Sequence, residues 1–503
     1  MIYTKVVFTS FLICFVSSIA IGQTISSKIV DKKTNEPIPY ATIQVSENQG
    51  VITNKEGKFS LSLDNSLSKI DSIYISSMGY EKIGVAIKNA TDSIIYIEPK
   101  AIELKGVFVS NKNLTADEII DKVKERVSQN YNLELSKKQL FFRESEFNSI
   151  KKLDVKFKKS TIEELNKRFI DSLTSSIPRK SEYYTEVLCN FYGNYEKVKL
   201  HITKAAELYD KNNIGSMDDM SKKLEKIFKD NVKPNSYLKI KSGLFGTKIQ
   251  VDSILAKDAE ATTAKNEIDS LKKKKNTTDF LKYQKSRLKS ILSSFFFNDD
   301  VKSNFLNKSG RYDFELIDYT YIDDNSVYVI NFSPKRSEDF KGTLYINTED
   351  FAVIRVDYKN VKLLKNFKLL GLMYQDNLYH NKIIFTKGKN NKYDLKYLES
   401  HRGNLFGFDR SLKVIEKNRF VKGKRKQNEL SLGIDAIVNN TTKFEIIVFD
   451  SNPLTEIDYK NSAENKNIKP TYLSRYNPEF WKGYNIIEPN SAIRQFTTPY
   501  ETE

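Results

Sequence analysis

Three histidines, two cysteines and a few carboxylate pairs are the residues of this 503-residue chain whose types could do chemistry. Zinc hydrolysis needs a His-x-x-Glu pair plus a distant His, which together leave one side of the metal open. His201 is followed by Ile202-Thr203-Lys204, His380 by Asn381-Lys382-Ile383 and His401 by Arg402-Gly403-Asn404, so none begins such a pair. All three read as ordinary strand or surface residues. Asp299-Asp300 and Asp323-Asp324 are adjacent carboxylates. Neighbours in a turn cap helices and hairpins more readily than they converge as acid and base. There is no Gly-x-x-x-x-Gly-Lys-Ser/Thr loop, no Gly-x-Ser-x-Gly elbow and no His-Glu-x-x-His pair. The sequence therefore predicts no catalytic residue, no cofactor-binding residue, no metal ligand and no cofactor.

The elements around these residues say more. Residues 1–22 read as a secretory signal peptide: Lys5 supplies the positive start, Val6 to Phe15 the apolar run, and Ala20-Ile21-Gly22 the small residues before a cut between Gly22 and Gln23. Cys14 lies inside the apolar run behind Phe11 and Ile13, which does not fit a lipoprotein signal. After cleavage only Cys189 is left, so the mature chain has no intrachain disulfide and relies on packing. Val187-Leu188 precede it in a strand-like run, which predicts a buried thiol. No later segment reaches the eighteen or so apolar residues of a spanning helix. A formal charge of +17 suits anionic envelope surfaces, but the bases are spread along the chain among acids. Lys272-Lys273-Lys274-Lys275 reads as a solvated helix end favoured by the helix dipole, and an exported chain is not expected to bind nucleic acid.

Residues 23–110 read as short strands between turns. Tyr40 to Val45 and Phe59 to Leu63 alternate apolar with polar, and Asn54-Lys55-Glu56-Gly57 is a hairpin turn whose glycine can take a positive φ. Lys28-Ile29-Val30-Asp31, Pro37-Ile38-Pro39-Tyr40-Ala41-Thr42-Ile43, Thr53 to Leu61 and Ile75-Ser76-Ser77-Met78-Gly79-Tyr80 stand in one order, with a closing strand at Ile102 to Val109. Together they resemble the carboxypeptidase-regulatory-like domain of exported Bacteroidota proteins, with Ser27 where the family usually has a glycine. The resemblance implies a seven-stranded transthyretin-like β-sandwich and a non-catalytic companion role. The same module often precedes outer-membrane transport barrels, but a barrel of some twenty-two strands of about ten residues does not fit the helical and mixed remainder.

Residues 111–450 read as a larger α+β domain. Thr115 and Glu118 form a capping box ahead of Ile119, Ile120, Val123 and Val127. Strands are predicted at Gln139–Phe147, Tyr183–Tyr192, Val198–Ile202, Tyr312–Tyr321, Val327–Phe332, Gly342–Ile346, Ala352–Tyr358, near Ile383, and over Lys392–His401 and Ser411–Glu416. Charged helices are predicted at Asp218–Lys229 and at 255–297. Leu281, Leu288, Leu292 and Phe295 make one stripe in the second region, which Asn276 to Asp279 divides. Phe141 to Ser145 and the strands from Val327 to Arg355 resemble passages of composite Bacteroidota proteins, and the pattern is similar to a periplasmic lipoprotein-carrier half-barrel. That resemblance implies a sheet face able to hold an acyl chain; the alternative is a face filled by the inserted helices. Residues 451–503 read as an extended C-terminal segment packed by its aromatics, Trp481 among them. Asp-Ser-Ile or Asp-Ser-Leu at Asp71, Asp92, Asp171, Asp252 and Asp269 resembles a short O-glycosylation acceptor of Bacteroidota.

The expectation is thus an α+β chain: a β-sandwich followed by a larger antiparallel, half-barrel-like domain with inserted helices. It is read as an exported, non-enzymatic protein of the periplasm or outer-membrane surface. Its partner would be an envelope protein or a lipid or glycan ligand, with peripheral membrane association. Two alternatives stand beside it, an envelope hydrolase with an unrecognised carboxylate site, and a small outer-membrane barrel or its assembly partner.

Overall fold

The computed structural model describes residues 23–46, 49–63, 71–91, 93–100, 114–243, 245–251, 280–298, 301–322, 325–388, 390–423 and 425–497. The expected signal segment with Gly22, the closing strand at 102–109, Lys272 to Asp279, and both Asp-Asp pairs lie outside those residues. Among the described residues the chain is mostly β, and none of the sheets closes on itself.

The first compact unit comprises the N-terminal region up to residue 102 with 321–324 and 477–490. Its strands are β1 (Gln23–Asp31), β2 (Thr42–Ser46), β3 (Gln49–Ile52), β4 (Lys58–Leu63), β5 (Ser72–Ser76), β6 (Ile83–Ala86) and β7 (Ile94–Ile97). They form one sheet in the order β4-β1-β7 and another in the order β3-β2-β5-β6. Alternation works as read: Phe59, Leu61 and Leu63 are buried while the residues between them are half-exposed. Gln23 opens β1 opposite Leu63. The Asn54–Gly57 turn is tied by the Asn54 Oδ1, which accepts the N–H of Glu56 at 2.9 Å and of Lys58 at 3.0 Å. Gly57 has φ 73°, and a Cβ there would meet the Ile29 carbonyl oxygen at 2.5 Å.

The same turn captures part of the C-terminal segment. Asn54 Nδ2 donates to the carbonyls of Glu488 and Pro489, both at 3.3 Å, and Ser62 N–H donates to Asn485 Oδ1 at 2.8 Å. The sequence reading assigns 477–490 to a trailing segment of the larger domain. The structure instead gathers it with the sandwich, because unpaired backbone and amide groups of the hairpin find partners in it. Trp481 is buried within this stretch.

The second unit is built on one fourteen-stranded sheet. Its strands are β8 (Ser136–Ser160), β9 (Lys180–Gly193), β10 (Val198–Tyr209), β11 (Ser236–Ser242), β12 (Phe245–Gln250), β13 (Tyr312–Ile322), β14 (Asn325–Pro334), β15 (Phe340–Asn347), β16 (Val353–Asn360), β17 (Lys365–Leu369), β18 (Leu372–Lys387), β19 (Tyr393–Asn418), β20 (Lys426–Pro453) and β21 (Thr471–Leu473). The main path runs β13-β14-β15-β16-β18-β19-β20-β8-β9-β10-β21, with β11, β12 and β17 beside it. β20 has 28 residues and so spans roughly 90 Å at about 3.3 Å per residue.

The longest helices beside the sheet among the described residues are α1 (Ala116–Asn130), α2 (Lys167–Ser176), α3 (Lys211–Asn231) and α4 (residues 280–292). The predicted capping box is present: Thr115 Oγ1 accepts the Glu118 N–H at 3.3 Å, and Glu118 Oε2 accepts the Thr115 N–H at 2.7 Å. The predicted stripe of α4 is buried at Leu281, Leu288, Leu292 and the following Phe295. α4 is pinned to β8 by Arg287, whose Nη2 meets Glu144 Oε1 at 2.5 Å and whose guanidinium lies 4.5 Å from the centre of the Phe444 ring. Burial raises the Glu144 carboxyl above its usual range even against Arg287. Behind the helix Phe296 meets Tyr131, Phe305 and Phe385 at ring distances of 5.8–6.3 Å. This sheet face is thus occupied by α4 and its phenylalanines.

Cys189 is fully buried in β9, and desolvation pushes its thiol well above the ordinary range. An aromatic disulfide reagent is expected to leave it unmodified in the native protein and to react with it in denaturant. Rapid native reaction would contradict this placement.

Candidate functional site

Two features of the larger unit gather polar side chains, and they do different things. The first is a row of cross-strand neighbours. Glu186 on β9 pairs with Arg143 on β8, Arg143 with Glu445 on β20, Glu445 with Glu399 on β19, and Glu399 with Lys382 on β18. Lys382 pairs with Asp357 on β16, Asp357 with Thr343 on β15, and Thr343 with Asn331 on β14. Directly paired residues in antiparallel strands share a face, so one polar ladder crosses eight strands.

Arg143 is 1% exposed; its Nη2 lies 2.6 Å and its Nε 2.7 Å from Glu186 Oε1, and Nη1 is 3.8 Å from Glu445 Oε2. Glu445 and Glu399 are like charges directly opposite each other, which alone would repel. Lys443 sits between them, 2.5 Å from Glu445 and 3.3 Å from Glu399. The two central histidines join the same network: His401 Nε2 is 3.0 Å from Glu399 Oε1, and His380 Nε2 is 2.6 Å from Asp357 Oδ1. Their rings are 5.9 Å apart. Partial burial works to raise Asp357, but donors from His380 and Lys382 outweigh it and hold its carboxyl below the usual range. Arg143, Lys443, Lys382 and Arg355 face Glu186, Glu445, Glu399 and Asp357, four charges against four. Each of these carboxylates is engaged by a basic group, so the ladder reads as a structural network that fixes register. Among the described residues no cluster of His, Cys, Asp or Glu has the arrangement of a metal site. His201 is separate, exposed on β10 with Nδ1 3.3 Å from the Ala463 carbonyl.

The second feature is a cavity of about 520 Å³ between α3, the 162–165 loop, and strands β11, β19 and β20. Ile162, Leu165, Leu224, Phe228, Val232, Leu238, Val414 and Leu430 supply apolar walls. Ser221, Glu225, Asn428, Glu429 and Glu416 complete the lining. Glu225 pairs with Lys229, and Glu429 with Lys413 and Lys426. Asn428 Nδ2 donates to the Asn231 carbonyl at 3.0 Å and to Glu416 Oε2 at 2.8 Å. The volume lies in the range of small-ligand sites, roughly 300–1,000 Å³, and the mix of apolar walls with a few polar groups is the usual one.

The sequence reading contains Glu416 only as the end of a predicted strand. The cavity draws on segments more than two hundred residues apart, so no local pattern marks it. The alternation of β19 is the available signal: against β11, Leu412, Val414 and Glu416 share a face, which puts a carboxylate in line with two apolar residues. Of the proposed glycosylation acceptors, Asp71 precedes β5 and Asp171 lies exposed on α2, paired with Lys167. Asp92, Asp252 and Asp269 lie outside the described residues.

Residues 25–109 match the family described as the CarboxypepD_reg-like domain, so the N-terminal sandwich carries that domain. No curated protein matches the chain. Among solved structures it is similar to MucB in complex with MucA(peri), at 7% identity over 64% of this chain and 93% of that one, with a TM-score of 0.15. The Pseudomonas aeruginosa MucA/MucB complex gives 6% identity over 68% and 99%, TM-score 0.16. A membrane-associated protein of unknown function from Bacteroides fragilis NCTC 9343 gives 8% over 84% and 97%, TM-score 0.12. Scores this low do not indicate a shared fold.

Proposed function

We propose that this chain, with its carboxypeptidase-regulatory-like domain at 25–109, is an exported, non-enzymatic envelope protein that binds an apolar or amphiphilic ligand in its larger domain. The large open sheet acts as a half-barrel-like support. α4 and Phe295 to Phe297 occupy the sheet face where an acyl chain would otherwise lie, so the ligand belongs in the cavity beneath α3. The single observation supporting this is the 520 Å³ space lined by eight apolar side chains from the 162–165 loop, α3 and its C-terminal end, and strands β11, β19 and β20.

Replacing Leu430 by tryptophan fills this space from a half-buried position. An environment-sensitive apolar dye such as N-phenylnaphthylamine is expected to bind the parent chain and to bind the Leu430→Trp variant at least tenfold more weakly, with the melting temperature little changed. Equal dye binding by both proteins would sink the proposal.

A further inference from the structure

The three carboxylates lining the cavity are not equivalent. Glu225 and Glu429 have lysine partners. Glu416 is 2% exposed and has no basic side chain against it among the described residues. Its oxygens receive two hydrogen bonds, Lys233 N–H at 2.9 Å on Oε1 and Asn428 Nδ2–H at 2.8 Å on Oε2. A carboxylate has about four acceptor positions, so among the described residues one remains on each oxygen. Buried charges are as a rule paired, and a buried unpaired carboxylate with open acceptor positions beside a cavity calls for a donor inside it.

We infer that the cavity selects amphiphiles by the sign of the head group: a primary ammonium head docks on Glu416 while the hydrocarbon lies along Val414, Leu430, Leu238 and Phe228. This rests on the apolar-ligand reading above and adds the head-group class to it. An ammonium supplies three donors and the opposite charge, and charge-assisted bonds of this kind are about twice as strong as neutral ones. A carboxylate head would bring a second negative charge to the same low-dielectric place and is excluded. A hydroxyl head can donate once and binds between the two.

Dodecylamine, dodecan-1-ol and dodecanoate are competed against the bound dye at pH 7 on the full chain. The amine is expected to compete at least tenfold more tightly than the alcohol, and the alcohol more tightly than the acid. Glu416→Gln is expected to remove the preference for the amine over the alcohol. Equal competition by all three on the unaltered chain overturns the inference, as does an amine preference that survives in the variant. Either result leaves the apolar-ligand reading standing. That reading falls separately if dye binding is indifferent to Leu430→Trp. The series on the unaltered chain reads the sign even if the variant does not fold.

Discussion

Replacing Arg143 by methionine is expected to cost about 3–5 kcal/mol of stability in the larger unit, the penalty of stripping one partner from a buried ion pair. The guanidinium lies against Glu186 Oε1 and also faces Glu445. Methionine fills much of the volume but leaves both carboxylates buried without it. Urea unfolding followed by near-ultraviolet signal checks this through the shift in midpoint. The double variant Arg143→Met/Glu186→Leu removes charge from both sides of the closest pair. It should recover most of the loss, because well-packed apolar replacements of buried pairs are often neutral or better. A single variant as stable as the parent would show that the pair does not hold the strands. A double variant no better than the single would show that packing, not charge, is what Arg143 supplies.

The same ladder gives a physical reason for register. β8, β19 and β20 are so long that a two-residue slip would keep apolar faces aligned. Such a slip would place Arg143 beside Lys443 and leave Glu186 without a cation. Charge therefore distinguishes registers that hydrophobic pattern alone cannot. A buried polar group that fixes register is the best-attested use of such pairs.

Local pattern made parts of this fold legible. The capping box at Thr115, the stripe from Leu281 to Phe295 and the meander from Tyr312 to Tyr358 depend on neighbours within a turn or a hairpin, and the structure has them. The longest strands were harder. The sequence predicts β8 only to Phe147, yet it runs to Ser160. Lysines at 151, 152, 156, 158 and 159 and a bulge near Ile150 break the alternation of Ile150, Leu153, Val155 and Phe157. β20 carries Asn439-Asn440-Thr441-Thr442 at its centre, a run of turn-forming residues, and is a continuous strand because β8 and β19 pair it on both sides. The charge ladder joins residues from 143 to 445, and the cavity joins 162 to 430. Both depend on strand order, which adjacency in sequence does not encode.

Lys396 shows what such long-range order can impose on one side chain. It lies where the pairing of β19 with β18 slips, between Leu395 and Tyr397, and bulges re-aim side chains. It is 6% exposed, and desolvation pushes its ammonium down to about 8, only partly opposed by Asp450. The unfolded chain has the ordinary lysine value of 10.5. Between about pH 8 and 10.5 the unfolded state therefore binds more protons, so stability of the parent rises with pH across that window. Below pH 8 both states are charged and the cost of burying the ammonium is fully present. The interval between the two values corresponds to about 3 kcal/mol at 1.36 kcal/mol per unit. Lys396→Met, similar in length and uncharged, removes that cost. The variant is expected to unfold at higher urea than the parent at pH 7, and its advantage should narrow by about 3 kcal/mol by pH 10.5. Taking the difference between the two proteins cancels the tyrosines and other lysines that titrate in the same range. An advantage that stays constant with pH would mean that Lys396 is neutral or solvated in the native state. A variant less stable at pH 7 would mean that its own buried contacts outweigh the desolvation of its charge.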